Sequence, residues 1–190
     1  VFVEGGSSDG TYETIRDAMG RFPGKNCRLV KQPGTGKADA VRKGFQDAHG
    51  DILIILDADL TVAPADLPRF VEALVSGKGD FVNGVRLVYP LEEQSMQFLN
   101  MVGNKIFSMV LSWLLGQSLK DTLCGTKALW KEDYELMRQR PDIIRPTDPF
   151  GDFELLFSAA ALNLKIVDLP IRYRKRNYGS SKIQRVAHGW

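Results

Sequence analysis

Gly50-Asp-Ile-Leu-Ile-Ile-Leu-Asp-Ala-Asp-Leu-Thr-Val-Ala-Pro64 ends an unbroken apolar run, Ile52 to Leu56, on two carboxylates, Asp57 and Asp59. A β-branched and leucine run with no polar gap reads as a strand covered on both faces, the situation of strands flanked by helices. Two acids two residues apart repel each other unless something positive lies between them. An Asp-x-Asp is too short to mean much by itself. Its position adds the meaning, because ligands of open α/β sheets collect beyond the carboxyl ends of the strands.

Upstream of that run, Phe2 to Glu4 reads as a short strand ending in the turn-forming loop Gly5-Gly-Ser-Ser-Asp-Gly-Thr11. Thr11 to Arg21 carries Ile15, Ala18, Met19 and Phe22 at helical spacing, and Asp9 is placed to cap that helix. Cys27 to Lys31 reads as a strand, Gln32 to Gly36 as a turn, and Lys37 to His49 as a helix. Downstream, Asp66-Leu67-Pro68 opens a helix through Val75, with Asp66 as its cap. Asp80 to Val85 is the next strand, and Leu91 to Gly116 a long, strongly apolar helix. A strand near Thr126 to Trp130, a helix near Lys131 to Gln139, a Pro-rich loop, a helix from Asp152 to Leu162 and a strand from Lys165 to Leu169 complete the pattern, followed by a basic tail. Strands alternating with helices of this length predict a mostly parallel, doubly wound α/β sheet.

Composition limits the alternatives. A chain of 190 residues, 44% apolar and 25% charged, suits one core, so a single domain over residues 1–190 is expected. A net charge of +2 gives no reason to invoke nucleic acid. Cys27 and Cys124 lack metal-type spacing and read as core thiols of a protein in a reducing compartment. No signal peptide is legible, and no apolar stretch reaches the roughly 20 residues of a membrane span. The expected location is the cytoplasm, including the cytoplasmic face of a membrane. The helix from Leu91 is apolar around much of its girth, so it either packs in the core or meets another apolar body, a membrane or a lipid-bearing substrate among them. Val1-Phe2-Val3 reads as a strand already under way, so further residues are expected ahead of it.

The acid pair has three chemical readings. A solvated strand end is the plainest. A second is a site for Mg²⁺ or Mn²⁺, which prefer oxygen ligands, keep waters and complete their shell with substrate phosphates. In the third, Asp57-Ala58-Asp59-Leu60-Thr61 fits the D-x-D-x-T motif of haloacid-dehalogenase-like phosphatases, with Asp57 as nucleophile. That motif is expected near a chain start, whereas two βα units precede Asp57.

Six separated motifs, VEGGSSDGT, GTGKADAVRKGFQDAHGDILIILDADL, NGVR, DTLCGTKALW, PFGDFEL and PIRYRKRNYGSSK, together resemble the family-2 glycosyltransferases of the GT-A fold. The likeness spans nearly the whole chain and is greatest for the polyprenyl (dolichol) phosphate mannosyltransferase-like branch. It implies a Rossmann-like nucleotide-diphospho-sugar transferase fold and a metal-dependent, inverting transfer of a hexose from a GDP- or UDP-sugar to an acceptor, in that branch a lipid phosphate. By the resemblance, Asp57 and Asp59 hold Mg²⁺ or Mn²⁺ against the donor diphosphate, with Thr61 close to a further ligand position. Glu4 and Asp9 fall in the nucleoside loop, where Gly5 replaces a second acid. Lys37, Asp39 and Arg86 line nucleotide, phosphate or sugar, and Asp121, Gly125 and Lys127 the sugar and acceptor side, although Asp121 also reads as a loop anchor. Asp152 and Glu154 are the candidate catalytic carboxylates. An acid at Asp152 is a general base where the acceptor is a hydroxyl, and only orients groups where the acceptor is already an anion. Arg176, Ser181 and Lys182 match an anion-holding tail, with Tyr173 and Gly179 shaping it. The family's first strand and its P-x-Y-N-E-type loop are missing, which implies an N-terminally incomplete domain. A sugar nucleotidyltransferase would share the sheet and the metal but needs a Gly-rich phosphate loop after its first strand. A domain that binds nucleotide and metal but transfers nothing is the non-enzyme alternative.

Overall fold

The structure, a computed structural model, describes residues 1–86, 98–140, 151–172 and 174. The start of the helix expected from Leu91, the Pro-rich loop, and Tyr173, Arg176, Gly179, Ser181 and Lys182 of the tail lie outside the described residues. The elements are β1 (Phe2–Glu4), α1 (Thr11–Gly20), β2 (Leu29–Lys31), α2 (Lys37–Asp47), β3 (Ile52–Ile54), a 3₁₀ turn (Pro64–Asp66), α3 (Leu67–Val75), β4 (Phe81–Val85), α4 (Phe98–Leu115), β5 (Lys127–Trp130), α5 (Lys131–Arg138), α6 (Asp152–Ala161) and β6 (Ile166–Pro170).

The strands form a parallel β1–β2 pair and a four-stranded sheet in the order β3-β5-β4-β6. β4 and β6 are parallel, as the alternation of strands and helices predicts, whereas β5 runs antiparallel to both β3 and β4. The sheet is therefore mixed. α4 lies between β4 and β5, but the loop of residues 116–126 brings the chain back to the end where β4 finishes, with Gly84 N donating to Thr126 O at 3.0 Å and Asn83 opposite Lys127, so β5 sets off in the opposite direction.

Alternation along the strands builds two cores. Leu53, Ile55, Phe81, Leu129 and Ile166 face one layer, where they meet α2, α4, α5 and α6. Ile52, Ile54, Val82, Ala128 and Val167 face the other, with Phe70, Ala73 and Leu74 of α3. The run at Ile52 is covered on both faces, as its composition predicts. Each fully buried Leu or Phe stabilises the fold by about 1.5–3 kcal/mol. Phe45 and Tyr134 meet edge to face at 4.9 Å and join α2 to α5.

Two local expectations change. Asp66 stands at the start of α3 but makes no side-chain cap; its carboxylate takes Arg69 Nη1 at 3.2 Å instead. Cys124 is buried, but Cys27 lies in the loop before β2 and is only half-buried, so one thiol of the two is a core thiol.

α4 divides unevenly. Ser108 and Leu111 are buried, whereas Ile106, Phe107, Met109, Val110, Trp113 and Leu114 are each at least half exposed, Trp113 82% so. Their spacing puts them on one face of the helix, and that face points outward. Among the described residues no helix is long and apolar enough to cross a membrane.

Candidate active site

β3 delivers the chain to Asp57 at the edge of the sheet, and the Ile55 amide still donates to Lys127 O at 2.9 Å, so the loop leaves from a fixed point. The turn closes by a bond from Leu60 N to Asp57 O at 3.2 Å, with Leu60 in the left-handed region at φ 51°. Asp59 Oδ1 accepts from Thr61 N at 3.1 Å and from Thr61 Oγ1 at 2.9 Å. The sheet holds the loop from its other side too, because Arg174 N, beyond β6, donates to Thr61 O at 2.8 Å.

Two helices begin at the same place. α2 starts at Lys37 after Gly36, and α6 starts at Asp152 after Gly151, which sits in the left-handed region at φ 74°. A Cβ on Gly151 would come within 3.2 Å of Ala38, so the helix starts pack closely and only glycine satisfies both the backbone angle and the space. Two helix N-termini turned to one locus favour negative charge there.

The side chains meet accordingly. Lys37 Nζ lies 2.9 Å from Asp57 Oδ1, 3.1 Å from Asp57 Oδ2 and 3.9 Å from Asp152 Oδ2. Lys127 Nζ, fully buried, lies 3.1 Å from Asp152 Oδ1 and donates to Cys124 O. Burial lowers the proton affinity of Lys37, but the carboxylates of Asp152 and Asp57 outweigh it and raise its pKa overall. Burial pushes the Cys124 thiol up to about 11, which leaves it protonated and unsuited to nucleophilic attack at neutral pH.

Gly125 is the floor of this cluster. A Cβ there would overlap Lys37 Nζ and the Asp57 carboxylate, so the missing side chain makes room for the ion pair. Gly125→Ala is expected to put a methyl group in the space of the Asp57 carboxylate and Lys37 Nζ and so to block ligand-dependent stabilisation at this centre, while the melting temperature of the protein alone moves by less than about 4 °C because the yielding atoms are mobile side-chain ends. Differential scanning fluorimetry with and without UDP and Mn²⁺ checks both halves.

The other expected site residues are held apart from this centre or beside it. Arg86 grips Asp121 with Nε at 2.7 Å and Nη2 at 3.0 Å, and Asp121, fully buried, also accepts from Arg86 N and Leu123 N. Asp121 is thus a loop anchor that orients Arg86. The buried Cys124 thiol feels the charges of both groups, Lys127 as well as Asp121 and Arg86. Glu154 is buried and paired with Arg42 of α2 at 2.7 Å. Asp39 turns back to accept from Gly34 N at 2.8 Å, which fixes the turn before α2. Glu4 is buried and accepts from Ser7 N, a bond that lowers its pKa. Asp9 accepts from the amide and hydroxyl of Thr11 just ahead of α1, but the residue that caps the helix is Gly10, without a side-chain cap, so the capping expectation for Asp9 is corrected.

Sequence reasoning missed Asn83 and Asp168. Their strands place them side by side in register, Asn83 Nδ2 donates to Asp168 Oδ1 at 2.9 Å and to Asp121 O at 2.8 Å, and Lys120 N donates to Asp168 Oδ2 at 2.9 Å. Burial raises the pKa of Asp168. The signal was available, since a polar residue inside an apolar strand needs a partner.

Chemically, Asp57 and Asp59 offer only oxygen donors, on a partly exposed turn above a glycine cradle, which suits Mg²⁺ or Mn²⁺ better than a softer metal. Among the described residues no group of three or more His, Cys, Asp or Glu side chains is gathered to enclose an ion. A metal here would complete its shell with water and ligand oxygens.

This arrangement agrees with what the chain is similar to. The sequence profile of glycosyl transferase family 2 matches residues 1–135. The chain is 31% identical to glycosyltransferase AglJ of Haloferax volcanii over 95% of its own length, and 29% identical to a dolichol-phosphate mannosyltransferase of Pyrococcus furiosus over 97%. It spans about half the length of these curated relatives, 55% and 50% respectively. Among solved structures, glucosyl-3-phosphoglycerate synthase from Mycobacterium tuberculosis, crystallised with Mn²⁺, UDP and phosphoglyceric acid, aligns with a TM-score of 0.64 at 20% identity, covering 94% of this chain and 59% of that one. That likeness shows a shared GT-A-like α/β fold. With the profile covering well over half of the residues, and Asp57 standing at a strand's carboxyl end between two helix N-termini, the chain belongs to glycosyl transferase family 2.

Proposed function

We propose that the chain transfers a hexose, with inversion, from a nucleoside-diphosphate sugar to a polyprenyl phosphate at a membrane surface. The observation that carries this reading is the meeting of Asp57, Lys37 and Asp152, delivered by three separate elements, at the carboxyl end of β3. Membership of family 2 favours it over the phosphatase and the nucleotidyltransferase.

Asp57 and Asp59 are the residues that would hold Mg²⁺ or Mn²⁺, and the ion supplies neutralisation of the charge that builds on the departing nucleoside diphosphate. Lys37, at the start of α2, offers an ammonium and the helix N-terminus to the same phosphates. Glu4 and Asp9 belong to the nucleoside end. Arg86, held in one orientation by Asp121, presents its guanidinium toward phosphate or sugar. Arg176, Ser181 and Lys182 are assigned to the anion of the donor or acceptor by their match to the family's tail motif. Asp152 is committed to Lys127 and close to Lys37, an arrangement that suits orientation of an anionic acceptor more than removal of a proton from a neutral hydroxyl. Glu154, paired with Arg42, ties α6 to α2 and so positions Asp152.

The lipid acceptor is supported by α4. Its outward apolar face carries no acid, has Trp113 at its most exposed point, and leads through residues 116–124 to Gly125 at the floor of the site. Tryptophan prefers the headgroup region of a bilayer. The dolichol-phosphate mannosyltransferase among the relatives is named for an acceptor of this class.

The test is transfer of labelled sugar from a panel of GDP- and UDP-sugars and Mn²⁺ into vesicles containing undecaprenyl or dolichyl phosphate. Wild type should label the lipid, and Trp113→Asp should lower vesicle binding by about tenfold while leaving donor-dependent stabilisation intact. Equal labelling of a soluble acceptor without lipid would overturn the lipid assignment. Donor binding without transfer to any acceptor would favour the non-catalytic alternative.

A further inference from the structure

The ammonium of Lys37 engages both oxygens of Asp57, at 2.9 and 3.1 Å, and is held in that position by Asp152 at 3.9 Å and by the glycine floor at Gly125. Its side chain is 27% exposed, well covered for a lysine, and Gly36, at φ 84°, starts α2 so that Lys37 is its first residue. No other ammonium shares Asp57 among the ion pairs of the described residues; Lys127 is spent on Asp152 and Cys124. One of the two carboxylates that an arriving metal would meet is therefore already paired with a built-in cation.

We propose that Lys37 competes with the divalent metal for Asp57 and thereby couples metal binding to donor binding. A metal ion that takes Asp57 alone must displace the ammonium into a site still positive from its own charge, so it binds weakly. When a nucleoside diphosphate arrives with the metal, the displaced ammonium gains phosphate oxygens, and the two ligands bind better together than apart. Reciprocity requires the nucleotide to tighten the metal by the same factor as the metal tightens the nucleotide. Lys37 would in this way keep the site from holding metal without donor. The inference rests on the reading of Asp57 as a metal ligand.

The experiment measures Mn²⁺ affinity by electron paramagnetic resonance, with no nucleotide and then with saturating UDP or GDP, in wild type, Lys37→Met, Asp57→Asn and Lys43→Met. Met keeps the length of the lysine stem and removes the charge. Lys43, which pairs with Asp47 further along α2 at 2.7 Å, controls for the general loss of one positive charge. The expected result is that Lys37→Met binds Mn²⁺ alone about tenfold tighter than wild type, and that the gain from nucleotide shrinks by about the same factor, within the usual range of coupling between sites. Lys43→Met should behave as wild type, and melting curves confirm that each variant is folded. Mn²⁺ affinity that Asp57→Asn abolishes but Lys37→Met leaves unchanged or weakens would overturn the competition while leaving the metal reading in place. Binding that Asp57→Asn does not alter would overturn both. A Lys37→Gln variant repeats the measurement should Met perturb the start of α2.

Discussion

Asp57→Asn should reduce sugar transfer by about 10³-fold or more while the protein alone melts within about 4 °C of wild type. The two expectations come from different parts of the same geometry. The Asp57 side chain is 39% exposed, so its pair with Lys37 is worth little to the fold, of the order of 1 kcal/mol or less, and Lys37 keeps Asp152 as a second partner. Under the proposed function the reaction, by contrast, loses a charge that would hold the metal, and three decades of rate correspond to about 4 kcal/mol of transition-state stabilisation. Ligand-dependent stability separates these terms. A donor and metal at about a hundred times their dissociation constant stabilise the native state by about 2.7 kcal/mol, which raises melting by about 5–10 °C in a chain of this size. Asp57→Asn should lose that rise. Asp59→Asn provides the cleaner comparison, because an amide oxygen can keep both bonds from Thr61 and only the negative charge is removed. A full ligand-dependent rise in both variants would refute the metal assignment.

The α/β class was legible because period-two and period-3.6 stretches alternate, and because the Ile52 run could only be a strand covered on both faces. Its alternate residues do divide between two cores. The direction of β5 was not legible. Lys127–Trp130 has the same apolar character in either direction, and the sheet neighbours that fix its sense come from residues far away in sequence. α4 posed a related problem. Spacing identifies a stripe of apolar side chains, but which side of the helix the sheet covers depends on packing, and here Ser108 and Leu111 face inward while Trp113 faces out. At the site, Asp57 could be found from its place after a strand, and Lys37 and Asp152 from the motifs around them. Their mutual contact could not, since it depends on two glycine-led helix starts meeting across more than a hundred residues of chain. Asn83 and Asp168 stood in plain view as polar residues within apolar strands, but only the parallel register of β4 and β6 makes them partners.

Lys127→Met should be the most destabilising single change at this centre. Lys127 is fully buried, its ammonium shared between Asp152 and Cys124 O, and Asp152 is itself 8% exposed. Removing one partner of a buried pair costs about 3–5 kcal/mol, because the other charge stays largely out of contact with water. That corresponds to a fall of about 10 °C in melting temperature. Lys127→Met combined with Asp152→Asn removes both charges, and should recover a large part of the loss, with a coupling of about 1–3 kcal/mol in a double-mutant cycle. The same pair of variants bears on chemistry. If Asp152 removes a proton from a hydroxyl acceptor, Asp152→Asn costs about 10²–10⁴-fold in rate. If the acceptor is a phosphate already ionised, no proton has to be taken, and Asp152→Asn should cost less than about tenfold toward lipid phosphate, provided the protein is assayed well below its melting temperature. A loss of the larger size in a variant that remains folded would make Asp152 a base and move the acceptor from phosphate to alcohol.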